Sequence, residues 1–258
     1  MHATSIARWD AQSEEAAVEL LASEGHLIVS PTKVGYILAA TDGAGLERKF
    51  AAKQRKRTKP GVVLCSSLEQ LAELAELNDE VAELYRVHWD QDILLGCILP
   101  WRPDALASFP DSVARDLATD LRQTSCFVIR FGRPTENIAR RLWEDHRRLM
   151  FASSANPSGM GNRGVVEGIG DRIRDEADLI IEADEYVRSI QPDTEARHEQ
   201  GVMVSFVDAE GKLVPVQRRQ RSITPAPAMI RGGLQQDEIM ANLAGIFPSW
   251  DFRHGDYY

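Results

Sequence analysis

The sequence predicts an α/β domain built on a sheet that helices cover, at least in part. Two observations carry that reading. Short apolar runs alternate with segments of helical spacing, the pattern of strands packed against helices. Several neighbouring runs have no helix between them, so antiparallel pairs are expected beside parallel ones.

Composition bounds the class. The chain has 258 residues, 39 of them acidic against 30 Lys plus Arg, for a formal net charge of −9. With 43% hydrophobic and 27% charged residues it reads as a globular protein and not a disordered or fibrous one. The negative balance argues against a generic nucleic-acid coat, which needs positive charge to displace counterions. The longest apolar run, Ile93 to Trp101, contains Gly96 and Pro100 and falls short of the roughly 20 residues that span a bilayer. The first ten residues lack a basic region followed by an apolar stretch, so a soluble, cytoplasmic protein without a membrane partner is expected. Cys65, Cys97 and Cys126 each sit in an apolar run without CxxC spacing, which favours buried thiols.

The elements follow in order. Ser13 to Ser23 has helical spacing, with Ser13 as the expected N-cap, and Gly25 ends it. His26 to Val29 and Val34 to Ala40 read as strands, then Ala44 to Lys53 as a helix and Gly61 to Cys65 as a strand. Ser67 caps the helix that starts at Leu68, and Asp79 to Arg86 forms another. Ile93 to Leu99 and Cys126 to Phe131 are strands, Glu136 to His146 a helix, Leu149 to Ala152 a strand and Gly168 to Ala177 a short helix. Asp178 to Glu182 and Val202 to Asp208 complete the strands. Residues 183–200 are polar and read as a surface loop. Residues 209–258 hold the basic cluster Arg218, Arg219 and Arg221, a Pro-rich extended stretch and a tail with a helix over Gln235 to Leu243. The domain division is therefore 1–208 and 209–258.

Three segments carry chemistry. Seven of the twelve residues from Arg48 to Lys59 are basic, which concentrates cations against the overall balance and suits an anionic ligand or, more simply, a solvated helix end. Ser153-Ser154-Ala155-Asn156-Pro157-Ser158-Gly159 follows an apolar run directly; such a strand end presents N–H groups and small polar side chains, although composition alone reads it as a turn. Ser30-Pro31-Thr32-Lys33-Val34-Gly35-Tyr36 joins two runs, with hydroxyls at Thr32 and Tyr36.

In combination and in this order these segments resemble the YrdC-like family, whose best-known members are threonylcarbamoyl-AMP synthases. The resemblance rests on Pro31-Thr32…Tyr36, Lys53-Gln54-Arg55, Arg130 after Val128-Ile129, and Ser154-Ala155-Asn156-Pro157-Ser158-Gly159, and it runs from about Gly25 to Asp208. It implies a twisted mixed sheet with flanking helices around an open concave cavity. It also implies an enzyme that forms L-threonylcarbamoyl-AMP from L-threonine, bicarbonate and ATP, releasing pyrophosphate, with magnesium sharing the phosphate charge. A downstream enzyme would then use the adenylate to modify adenosine 37 of tRNAs; direct tRNA binding is left open. On this resemblance Lys53 and Arg55 clamp the phosphates with Lys59 as a third cation. Ser154, Asn156 and Ser158 hold the nucleotide, Thr32 and Tyr36 line the amino-acid pocket, and Arg130 pairs with a carboxylate or phosphate.

The chain departs from the family pattern at three places. Lys33-Val34 stands where an acidic residue and a small hydroxyl are usual, Trp89-Asp90-Gln91-Asp92 replaces a Trp-Pro-Gly-Pro segment, and Gly201 to Asp208 lacks the hydroxyls that lead the family's late strand. Two alternatives therefore stand beside the threonine reading. One is a related carbamoyl-adenylate enzyme with another amino acid or carbamoyl donor, the other a non-catalytic nucleotide- or RNA-binding module. The cluster Arg218, Arg219 and Arg221 is expected to fold back toward the nucleotide.

Overall fold

The computed structural model describes residues 4–54, 60–107, 109, 111–157, 159–193 and 197–253. The chain begins with strand β1 (Ser5–Arg8) and helix α1 (Ala11–Ala22). Asp10, not Ser13, is the N-cap of α1. Its carboxylate accepts from the Ser13 N–H at 2.7 Å and the Ser13 hydroxyl accepts from the Asp10 N–H at 2.9 Å, so Ser13 is the inner half of a capping box. Strands β2 (Ile28–Thr32) and β3 (Gly35–Ala40) form a hairpin, and α2 (Gly43–Lys53) follows with Asp42 as its cap. Next come β4 (Val62–Leu64), α3 (Leu68–Leu74) with Ser67 capping as expected, α4 (Asp79–Asp90) and β5 (Leu95–Pro100).

Two short helices, α5 (Pro103–Ala107) and α6 (Ser112–Ala118), lead to β6 (Thr124–Ile129), α7 (Thr135–His146) and β7 (Met150–Ser154). The helix expected over Gly168 to Ala177 is a 3-10 turn at Val166–Ile169 and then α8 (Asp171–Glu176), divided at Gly170. β8 (Leu179–Glu182) leads into α9 (Asp184–Ile190), which corrects the expected loop over 183–200. The helix forms because Val187 has a core to bury against. β9 (Met203–Ser205), β10 (Ala228–Arg231), α10 (Gln236–Ile246) and β11 (Asp251–Phe252) are the last elements of the described residues.

The strands form a single mixed sheet in the order β1-β8-β2-β3-β7-β4-β6-β5-β9-β10-β11. β10 pairs antiparallel with β9, so residues beyond 208, expected as an extended segment and tail, add strands to the sheet. Successive residues alternate between its faces. Leu38, Phe151, Leu95 and Phe127 pack on one side against α2, α3, α4, α6 and α10. Ile37, Ala152, Val128 and Met203 lie on the other, where α1 and α7 contribute Val18, Leu21, Ile138 and Leu142. Those two helices leave part of the second face uncovered, and the candidate site lies there.

Arg48, one of the seven cations, works as a structural clamp. Its guanidinium donates to Glu176 Oε1 at 3.0 Å, to Asp178 Oδ2 at 2.8 Å and to the Gly25 carbonyl at 2.8 Å, tying α2 to the start of β8 and the loop before β2. Burial alone would raise the Asp178 pKa, but the Arg48 hydrogen bonds and the Leu27 N–H hold it below the usual carboxylate value. The folded carboxyl thus titrates below the unfolded one, near 3.9, so its stabilising contribution is complete above that pH and is lost as pH falls through the folded value. Arg48→Ala should cost about 2–4 kcal/mol in urea unfolding at pH 7 and flatten this acid limb. Unchanged stability would show that the clamp contributes nothing.

Candidate functional site

The uncovered part of the sheet holds a cavity of about 310 Å³. Its floor is apolar, with Ile37, Val62, Leu64, Val128 and Ala152 projecting from β3, β4, β6 and β7. Its polar groups come from the rim. Lys53 arrives on the last residue of α2, where Gln54 turns left-handed (φ 49°) and ends the helix. Arg231 comes from the end of β10, and Arg197 and His198 from the segment after α9. Among the described lining residues three are cations and none is a carboxylate. In a chain of net charge −9 that sorting gives the cavity a local positive character, the electrostatics that suit an anion.

The structure brings Lys53 and Ser154 together. Lys53, 5% exposed, donates from Nζ to the Ser154 carbonyl and, at 3.1 Å, to its hydroxyl. Asn156 also lines the cavity. Its Nδ2 donates to the Pro157 carbonyl at 2.8 Å, and its buried Oδ1 has no partner among the described residues. A buried acceptor without a donor costs on the order of 1–3 kcal/mol unless a ligand or water supplies one. Arg55, Lys59 and Ser158 lie outside the described residues.

Thr32 and Tyr36 both line the cavity, but their hydroxyls are committed. Thr32 Oγ1 donates to the Gly35 carbonyl at 2.6 Å and accepts from the Val34 N–H at 3.3 Å, closing the β2–β3 turn. Gly35 has φ +92°, and a Cβ there would lie 2.4 Å from Asn162 Oδ1, so the turn requires glycine. The Tyr36 hydroxyl donates to Asp184 Oδ1 at 2.7 Å and accepts from the Ala183 N–H at 2.8 Å. Burial, reinforced by the Asp184 hydrogen bond, pushes this phenol far above its ordinary pKa.

Arg130 is not a lining residue, which corrects its expected place. It takes a left-handed backbone (φ 54°), donates to the Trp89 carbonyl at 2.9 Å and stacks 3.9 Å from the Trp89 ring. Two of the three departures from the family pattern meet here. Lys33 Nζ lies 2.9 Å from Asp92 Oδ1 and donates to the Asp92 carbonyl at 2.6 Å. A cation at 33 and an anion at 92 thus tie the β2–β3 turn to the α4–β5 connection. Arg218, Arg219 and Arg221 are exposed and do not line the cavity. The N–H groups of Gln217 and Arg218 donate instead to the Glu80 carboxylate at 2.8 Å each.

Sequence reasoning missed Arg231, Arg197 and His198. For Arg231 a signal existed, an apolar run followed by Arg231-Gly232-Gly233. For the other two there was none. The Arg231 Nε donates to the Gly201 carbonyl at 2.8 Å. His198 Nε2 lies 2.9 Å from the Asp193 carbonyl, which can only accept, so Nε2 carries the proton and Nδ1 the lone pair. Nδ1 is buried without a partner among the described residues, and burial lowers the His198 pKa.

Two outcomes follow from these contacts. Tyr36→Phe should cost about 1–3 kcal/mol in urea unfolding while affinity for pyrophosphate, a probe of the cationic cavity, is unchanged. Lost affinity at unchanged stability would instead assign the hydroxyl to the ligand. Because the folded His198 titrates below its unfolded value near 6.5, its contribution is complete above that pH and falls as pH drops through the folded value. Thermal unfolding from pH 7.5 to 5 should therefore show a smaller loss for His198→Gln than for the parent protein.

A family model described as telomere recombination, Sua5/yciO/yrdC, matches residues 21–202. Among solved structures, the hypothetical protein smu.1377c from Streptococcus mutans UA159 superposes with a TM-score of 0.92 at 52% identity, covering 99% of this chain and 100% of its own. P. abyssi Sua5 complexed with L-threonine gives 0.64 at 21% identity, over 95% of this chain and 61% of that one. E. coli YciO gives 0.64 at 19% identity, over 91% and 97%. The last two show a shared fold. No curated protein matches the chain by sequence. With most of its length matched by one family model, and with the mixed sheet of these structures, the chain belongs to the Sua5/YciO/YrdC family.

Proposed function

We propose that this protein uses ATP to turn an α-amino acid and bicarbonate into an aminoacyl-carbamoyl adenylate, with L-threonine as the first candidate and pyrophosphate as the second product. The observation that carries the proposal is the gathering of Lys53, Arg197 and Arg231 in a cavity without a carboxylate among its described residues. The reaction joins a carbamate oxygen to the α-phosphorus of ATP and breaks the bond to pyrophosphate, so negative charge accumulates where two anions meet. Fixed cations and donors offset that charge. Lys53 and Arg231 hold phosphate oxygens, Ser154 donates its hydroxyl beside them, and the apolar floor takes the adenine. Arg55, Lys59 and Ser158, from the family motifs, would extend the same cradle. The adenylate would pass to a partner enzyme that modifies adenosine 37 of tRNAs. No helix among the described residues is long and apolar enough to cross a membrane.

The cavity does not fit a resident magnesium ion. Magnesium takes oxygen ligands with at least one carboxylate as a rule, and none lines the cavity among the described residues. In this reading magnesium arrives with the triphosphate as part of the substrate.

One observation favours a different amino acid. The Thr32 and Tyr36 hydroxyls, which the family pattern assigns to the amino-acid pocket, already have partners, and Val34 lines the cavity where a small hydroxyl is usual. A pocket built to bond a polar group discriminates strongly, and these changes remove that basis for choosing threonine.

Pyrophosphate release measured across all amino acids, with and without bicarbonate, tests both readings. Release is expected only with ATP, bicarbonate and an amino acid together, and Lys53→Ala should lower kcat/KM by about 100-fold or more. Tight ATP binding without pyrophosphate from any amino acid would reject catalysis and leave a nucleotide-binding module.

A further inference from the structure

An amino-acid substrate brings an α-carboxylate into the cavity, and that charge needs its own partner. Arg130, the residue of the sequence expectation, is turned away onto Trp89. Of the described cations that do line the cavity, Lys53 donates to Ser154 and Arg231 to Gly201. Arg197 is placed differently. It is exposed at the rim, and its guanidinium has no hydrogen-bond or ion-pair partner among the described residues.

The stem of Arg197 is nonetheless held. It packs across Gly161 so closely that a Cβ at that position would lie 2.5 Å from both Arg197 Cγ and Cδ, and Gly161 has φ +75°. The next residue is pinned on both sides. The His198 N–H donates to the Asn162 carbonyl at 2.8 Å, its Nε2 donates to the Asp193 carbonyl at 2.9 Å, and its ring covers Gly164. The base of Arg197 is thus fixed at the rim of a cavity that lacks a described carboxylate, and its planar head carries five donors. That head matches a carboxylate's two oxygens.

We propose that Arg197 binds the α-carboxylate of the amino-acid substrate and so sets which compounds enter the reaction. The proposal rests on the carbamoyl-adenylate reading. It predicts that Arg197→Ala raises KM for the amino acid about 10- to 100-fold, with kcat and the KM for ATP unchanged, and that Arg197→Lys recovers part of the loss. The decisive comparison is the amide of the same amino acid, which lacks the charge: parent and Arg197→Ala should use it with equal KM. An unchanged KM for the acid, or an equal loss for acid and amide, would overturn the assignment. Absence of pyrophosphate from the parent with every amino acid would reject the underlying reaction and this assignment with it, whereas turnover indifferent to Arg197 would reject the assignment alone.

Discussion

Strands that are apolar on both faces must be covered on both, and the protein depends on the incompleteness of that cover. One face carries α2, α3, α4, α6 and α10, whose side chains fill the larger core. The other has α1 and α7 at one end, and the remaining strand residues form the floor of an open cavity. An apolar floor costs hydration free energy at roughly 25 cal/mol per Å² of exposed surface, so a ligand with an apolar body is drawn to it. The same incomplete cover gives rim segments a place to converge. The β2–β3 turn, the loop after β7, the segment after α9 and the end of β10 meet there, where no helix of the described residues lies.

Charge sorting is the second organising feature. The basic stretch at the end of α2 divides by function. Arg48 is taken by Glu176 and Asp178 and holds the helix in place, which fixes where Lys53 one and a half turns later can reach. Lys53 then meets Ser154, a hundred residues on, and Arg231 joins from a strand beyond the span of the family model. Cations brought close together repel, and they persist here in a low-dielectric setting where an anion would interact with them strongly.

The departures from the family pattern are coupled. Lys33 in place of an acidic residue would be an unpaired cation beside the β2–β3 turn, and Asp92 in place of a proline supplies its partner. Arg130, stacked on Trp89 with Nε 3.8 Å from Asp92 Oδ1, completes the cluster. The turn is thereby held from outside by an ion pair and from inside by the Thr32 hydroxyl, so its hydroxyls serve the fold. Retuning a pocket in this way alters what the wall presents without moving the strands beneath it.

The fold class and most of the strands and helices were legible in the sequence, because periodicity is a local signal, and the sequence singled out the Lys53 and Ser154–Asn156 segments that line the cavity. Local signals also placed the Ser67 cap and the end of α2. They failed at Ser13, because a capping box contains two eligible residues and only backbone geometry decides which is the cap. They failed at 183–200, where α9 forms through burial of Val187 and where Arg197 and His198 reach the cavity through contacts with Gly161 and Gly164. Arg130 left the cavity, and Tyr36 kept its place in the lining with its hydroxyl committed to Asp184, for a related reason: a side chain's residue type states what it can bond, and its neighbours in space decide what it does bond. Sequence alone therefore determined the fold class, most of the elements and which residues carry the charges and hydroxyls that suit an anion. Tertiary structure decided which of them face the cavity, because that depends on pairings between segments from about 30 to more than a hundred residues apart that no local pattern encodes.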